Sequence, residues 1–183
     1  MAGWLALIVI SVSCDGPKGD VGPVGPQGPK GDSGVAGQNG TDGIGAREII
    51  TGPVKSTNGG YTLGKANLST EDSVMISKSV VVVFIKSQGL WWSQPGIVQF
   101  GNDRSTTFNF VTLQRNRLFY VDIRPVSWSE ADKSKAPERE FESIRAVIIP
   151  TETFRMNAEV DWTDYEEVVS TLGLKESNAI KAD

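Results

Sequence analysis

Val80-Val81-Val82-Val83-Phe84-Ile85 is an unbroken apolar run of six residues, five of them β-branched, and its reading decides the fold class of the larger part of this chain. The run is shorter than a typical helix, and side chains branched at Cβ suit a pleated sheet better than a helical turn. No polar residue alternates within it, so both faces are expected to be covered, as in a central strand. Further along, Thr106 to Leu113 alternates, with Phe108 and Phe110 on one face and Thr107 and Asn109 on the other. Arg115-Asn116 then turns the chain into Leu118 to Ile123, where Phe119, Val121 and Ile123 share one side, so a hairpin is predicted. Phe141 to Ile149, ending at Pro150, supplies another strand, and Ile97 to Phe100 and Glu48 to Thr51 supply shorter ones. This spacing predicts a mainly β fold of β-sandwich type. Thr163-Asp164-Tyr165-Glu166 has the form of a capping box, which predicts one short helix through Leu172 closed by Gly173. The expected head domain spans residues 46–183.

Upstream of the head the composition changes abruptly. Glycine falls at every third position from Gly16 to Gly43, ten times in register (Gly16, Gly19, Gly22, Gly25, Gly28, Gly31, Gly34, Gly37, Gly40, Gly43). Against a background near 7% glycine, such a register has about a few chances in a trillion of arising at random. The period is that of a Gly-X-Y repeat: three polyproline-II chains wind together only if the residue at the crowded axis has no side chain. Pro17, Pro23, Pro26 and Pro29 occupy X positions and preset the backbone angle. Lys18-Gly19-Asp20 and Lys30-Gly31-Asp32 place opposite charges where neighbouring chains can pair. A homotrimer is therefore expected. At roughly 3 Å per residue the stalk, residues 14–45, would reach about 90 Å.

Before the stalk, Trp4-Leu5-Ala6-Leu7-Ile8-Val9-Ile10 is an apolar run ending in small residues. It is too short for a spanning helix, which needs about 20 residues, and reads as an export signal over residues 1–13. Ser11-Val12-Ser13-Cys14 resembles a lipobox, which makes Cys14 the expected lipidation site and the membrane a partner through a lipid anchor. Ser11 stands where such motifs carry an aliphatic residue, and no lysine or arginine precedes the apolar run.

A lipobox-like cysteine, an immediate Gly-X-Y run, then Val80 to Lys86, Ile144-Arg145-Ala146-Val147-Ile148-Ile149-Pro150 and Asp164-Tyr165-Glu166 together resemble the collagen-like lipoproteins of Bacteroidetes-type bacteria. The resemblance covers nearly the whole chain. It implies a protein exported and lipid-anchored to the cell envelope, at the outer membrane or cell surface, and it implies architecture more than chemistry.

Composition removes several kinds of chemistry. The chain of 183 residues has no histidine, so histidine-based zinc sites and Ser-His or Cys-His catalysis are excluded. Its one cysteine, Cys14, can form no intrachain disulfide, and a net charge of -4 without basic clusters argues against nucleic acid. No cofactor, metal or catalytic residue is assigned. Asp161, Asp164, Glu166 and Glu167 lie where the dipole of the predicted helix favours negative charge, although paired carboxylates also serve glycosidases. Glu138, Glu140 and Glu142 alternate on a strand entry and pose the question of calcium without the loop of a known site. Trp91 and Trp92 in an apparent loop, Gln88 to Pro95, and Trp128 in another are the candidate binding residues, since loop aromatics favour recognition, including sugar stacking; packing onto the sandwich is the competing role. Trp162 is expected to pack. The expected function is a non-enzymatic surface lipoprotein whose trimeric stalk presents the head for adhesion to a glycan or surface protein. The alternatives are a purely structural trimeric envelope protein and, last, a carboxylate-based glycan-active enzyme.

Overall fold

The structure, a computed structural model, describes residues 45–183 together with the isolated positions Gly16 and Gly19. The leader, Cys14 and the rest of the Gly-X-Y run lie outside the described residues.

The head is mainly β. In chain order it comprises β1 (Arg47–Ile50), β2 (Val54–Lys55), β3 (Tyr61–Lys65), α1 (Thr70–Ile76), β4 (Ser79–Ser87), β5 (Leu90–Gln94) and β6 (Gly96–Gln99). There follow β7 (Ser105–Arg115), β8 (Leu118–Trp128), β9 (Glu140–Phe141), β10 (Ser143–Pro150), α2 (Thr151–Met156), α3 (Tyr165–Leu172), a 3-10 turn (Glu176–Asn178) and β11 (Ile180–Lys181). One sheet has the order β11-β1-β10-β4-β5 and another β3-β8-β7-β6, with β2 and β9 forming a small third pair.

The apolar run fulfils its expectation. β4 lies between β10 and β5, and its side chains divide between two cores. Val83 and Ile85 join Ile49, Ile144, Ala146 and Ile148 of their own sheet against Leu63, Val98, Phe108, Phe119, Val121 and Ile123 of the other. Phe84 points the opposite way and packs with Val147 and Ile149 beneath Tyr165 and Val168 of α3. The five-stranded sheet is thus covered on both sides, by the second sheet and by helices. The chain crosses between the sheets at the cis Gln94–Pro95 bond that separates β5 from β6.

The predicted β7–β8 hairpin is present, with Arg115 opposite Leu118, and runs back to a Thr106–Trp128 pair. Four expectations are corrected. Gln88 to Pro95 is not a loop: Leu90–Gln94 is strand β5, and Ser87 pairs with Leu90 across a two-residue turn in which Gln88 and Gly89 have φ of 54° and 73°. Positive φ at both positions is what a tight hairpin turn requires. Trp128 likewise closes strand β8 instead of standing in a loop. The single predicted helix is one of three α-helices among the described residues. It begins at Tyr165, and Asp164, not Thr163, is its cap, its Oδ1 accepting from the amides of Glu166 and Glu167 at 2.9 and 3.2 Å. Thr163 instead donates to Asp161. Gly173 ends the helix in the left-handed region, φ 60°, as expected.

Candidate functional site

The two tryptophans of β5 point in opposite directions because successive strand residues alternate. Trp92 packs against the core between the sheets, and its Nε1 donates to the Ser87 carbonyl at 3.3 Å. Trp91 lies on the helix-covered side, its ring 4.2 Å from that of Tyr165. The guanidinium of Arg145 sits 4.9 Å from the Trp91 ring and 5.3 Å from that of Tyr165. Lys86 Nζ approaches Trp91 as well, at 5.4 Å. Both indoles are half-buried and do packing work.

Beneath this stack is a polar network that periodicity alone did not single out. Glu48 of β1 is 3% exposed, and its carboxylate accepts from Arg145 Nη1 at 3.3 and 3.4 Å and from the Tyr165 hydroxyl at 3.2 Å. Arg145 also donates to the Tyr165 hydroxyl and, at 3.3 Å, to Glu176. Burial holds the Glu48 carboxyl above its ordinary range, with the Arg145 charge opposing that rise. Burial and the Glu48 charge together push the Tyr165 hydroxyl well above the usual tyrosine value. Buried Arg145 Nε has no hydrogen-bond partner among the described residues. The signal for this network was a charge, Arg145, inside an otherwise apolar strand.

A cleft of about 410 Å³ opens beside the stack. Trp91, Leu90 and Gly89 of the β4–β5 hairpin form one wall; Asp161, Thr163, Asp164, Tyr165 and Glu166 form the other. Two of these carboxylates are occupied locally. Asp161 Oδ1 accepts from the Thr163 amide and hydroxyl at 2.9 and 2.6 Å, which lowers its pKa, and Asp164 caps α3. Glu167, the fourth acidic residue of this segment, turns back to accept from the Asp161 amide at 3.2 Å. A lowered carboxyl is the opposite of what a general acid near neutral pH requires. An aromatic edge, a hydroxyl and carboxylates across an open cleft suit a polyhydroxylated or cationic surface group.

The other candidates are placed elsewhere. Trp128 belongs to the second sheet, where its Nε1 donates to the Asp132 carbonyl at 2.7 Å and Lys133 Nζ lies 5.9 Å from its ring. It shares no surface with Trp91 in the cleft. Trp162 stacks on Phe154 at 4.6 Å. Glu138, Glu140 and Glu142 do line one cleft, of about 520 Å³, but with Arg104 and Arg139 among them. Glu140 pairs with Lys55 at 2.8 Å, and Glu142 accepts from the Gly89 amide at 2.9 Å. Among the described residues no three His, Cys, Asp or Glu side chains come together to hold a metal. Sequence reasoning also missed Arg139, which is buried and makes a two-pronged pair with Glu130 at 2.7 and 2.8 Å.

No protein-family model matches the chain, and no curated protein or solved structure is found similar to it.

Proposed function

We propose that this chain is a non-enzymatic, exported surface lipoprotein: a lipid anchor at Cys14, a trimeric collagen-like stalk, and a β-sandwich head held away from the membrane for adhesion. The observation that carries this reading is the ten-glycine register of Gly16 to Gly43, directly followed by a folded head. A stalk of that kind has no catalytic use, but it does set the reach and the number of copies of whatever it presents. The Trp91–Tyr165 cleft is the binding face, and a glycan or the basic group of a surface protein is its ligand. Three copies on one stalk convert a weak single contact into lasting attachment through effective concentration.

The test is a screen of residues 15–183 against immobilised polysaccharides and surface extracts, repeated with Glu166→Gln and with Leu90→Ser. Binding that falls at least tenfold in these variants, with melting unchanged, supports the cleft. Turnover of a substrate would overturn the non-enzymatic reading. A second reading, in which the head serves only to join the chains, is favoured by the commitment of Trp91 and Trp92 to packing, and absence of binding to every surface would select it.

A further inference from the structure

The two outer faces of the head differ. α2 and α3 cover the five-stranded sheet, whereas no described element covers the outer face of the four-stranded one. That bare face carries an apolar patch. Phe119, Val121 and Ile123 of β8 point into the core, so Leu118 and Tyr120 point out. Leu113 of β7 lies directly opposite Tyr120, and Val111 is its neighbour on the same face. Val111, Leu113 and Leu118 are all exposed.

The position of this patch along the head narrows what can cover it. The β7–β8 turn is tied to α1, for the Ser73 hydroxyl donates to the Asn116 carbonyl at 2.6 Å and Gln114 Nε2 donates to the Ser73 carbonyl at 2.5 Å. α1 is tied in turn to the entry of the chain into the head, where Arg47 Nε meets Asp72 at 3.4 Å. The hairpin tip and Arg47 therefore lie at one end. The Gly-X-Y register stops at Gly43, four residues before Arg47, and four extended residues reach at most about 14 Å. Three chains wound together as far as Gly43 bring three such ends into proximity, each with its apolar patch.

We propose that the Val111–Leu113–Leu118–Tyr120 patch is the contact surface between heads, buried against a neighbouring copy of the same chain. The inference rests on the trimeric-stalk reading and adds to it the surface that joins the copies. In a ring of three the contact is head-to-tail, so each patch meets a different region of the next head.

Leu113 and Leu90 provide a matched pair for the test, since they are 59% and 60% exposed in the single head and Leu90 lies in the β4–β5 turn region on the other sheet. Residues 15–183 lack Cys14, so Leu113→Cys and Leu90→Cys would each carry one thiol. The mass in solution is measured first, then the rate of maleimide labelling for both variants, folded and after unfolding. The expected result is a trimer in which Leu113→Cys reacts at least tenfold more slowly than Leu90→Cys, the difference vanishing on unfolding. A trimer in which both thiols react equally would overturn the interface and leave the stalk reading intact. A monomer at all concentrations would overturn both.

Discussion

Glu48 and Arg145 show how one side chain sets a residue-level dependence on pH. Burial raises the Glu48 carboxyl above its ordinary 4.5, so between that value and the raised one the folded chain binds more protons than the unfolded chain. Stability contributed by this group is therefore greatest below the ordinary value and falls as pH rises through the raised one. Wild type should gain in melting temperature relative to Glu48→Gln as pH falls from 7 towards 4.5, and a constant difference would mean an unperturbed carboxyl. Removing the partner is harsher. Arg145→Met leaves the Glu48 charge buried without compensation, which should cost about 3 kcal/mol in a denaturation experiment. Trp92 poses a separate question, since an aromatic in a loop and one on a strand look alike in sequence. Its half-buried indole packs on the main core, and Trp92→Ala should lose about 2 kcal/mol, below the range for fully buried aromatics. An unchanged melting temperature would return Trp92 to the set of recognition residues.

At the scale of elements, what could be read depended on how local the signal was. β4 and the β7–β8 hairpin were legible because a run of β-branched residues and a strict alternation each carry their own meaning. β5 was not, because Gln88-Gly89 is a less familiar tight turn than Asn-Gly, and Trp91-Trp92 with Pro95 beyond resembles a loop. α1 and α2 are only seven and six residues long, too short for a helical period to emerge. The candidate cleft was less legible than the fold: Trp91 stood out as an aromatic, but Tyr165, Arg145 and Glu48 come together only through sheet register and the docking of α3. The start of α3 offers a direct check, since the capping-box pattern puts the cap at Thr163 whereas the structure puts it at Asp164. Asp164→Ala should cost about 1 kcal/mol, or roughly 3 °C in a domain of this size, with Thr163→Ala costing less; the reverse order would restore the threonine as cap. Gly64 tests the packing of the second sheet. A Cβ there would meet the Phe119 carbonyl and the Tyr120 ring at 2.3 Å, so Gly64→Ala should destabilise by about 1–3 kcal/mol, measurable by thermal melting.

Over the whole molecule, we propose that three chains act together. Four prolines among ten triplets make a marginal triple helix, and collecting three chains carries a large entropic cost. Heads that associate through the β7–β8 face would hold the strands together at Gly43 and let winding proceed towards Cys14. Gly28→Val should clearly lower the melting temperature of the polyproline circular dichroism signal, because no side chain fits at the axis, whereas the outward Gln27→Ala should shift it far less. Cys14→Ser should release the protein from membranes into the soluble fraction, and unchanged partition would remove the lipid anchor from the account. The most direct measurement is sedimentation equilibrium of residues 15–183 across micromolar concentrations: the account predicts the mass of three chains, and a single-chain mass throughout would contradict it.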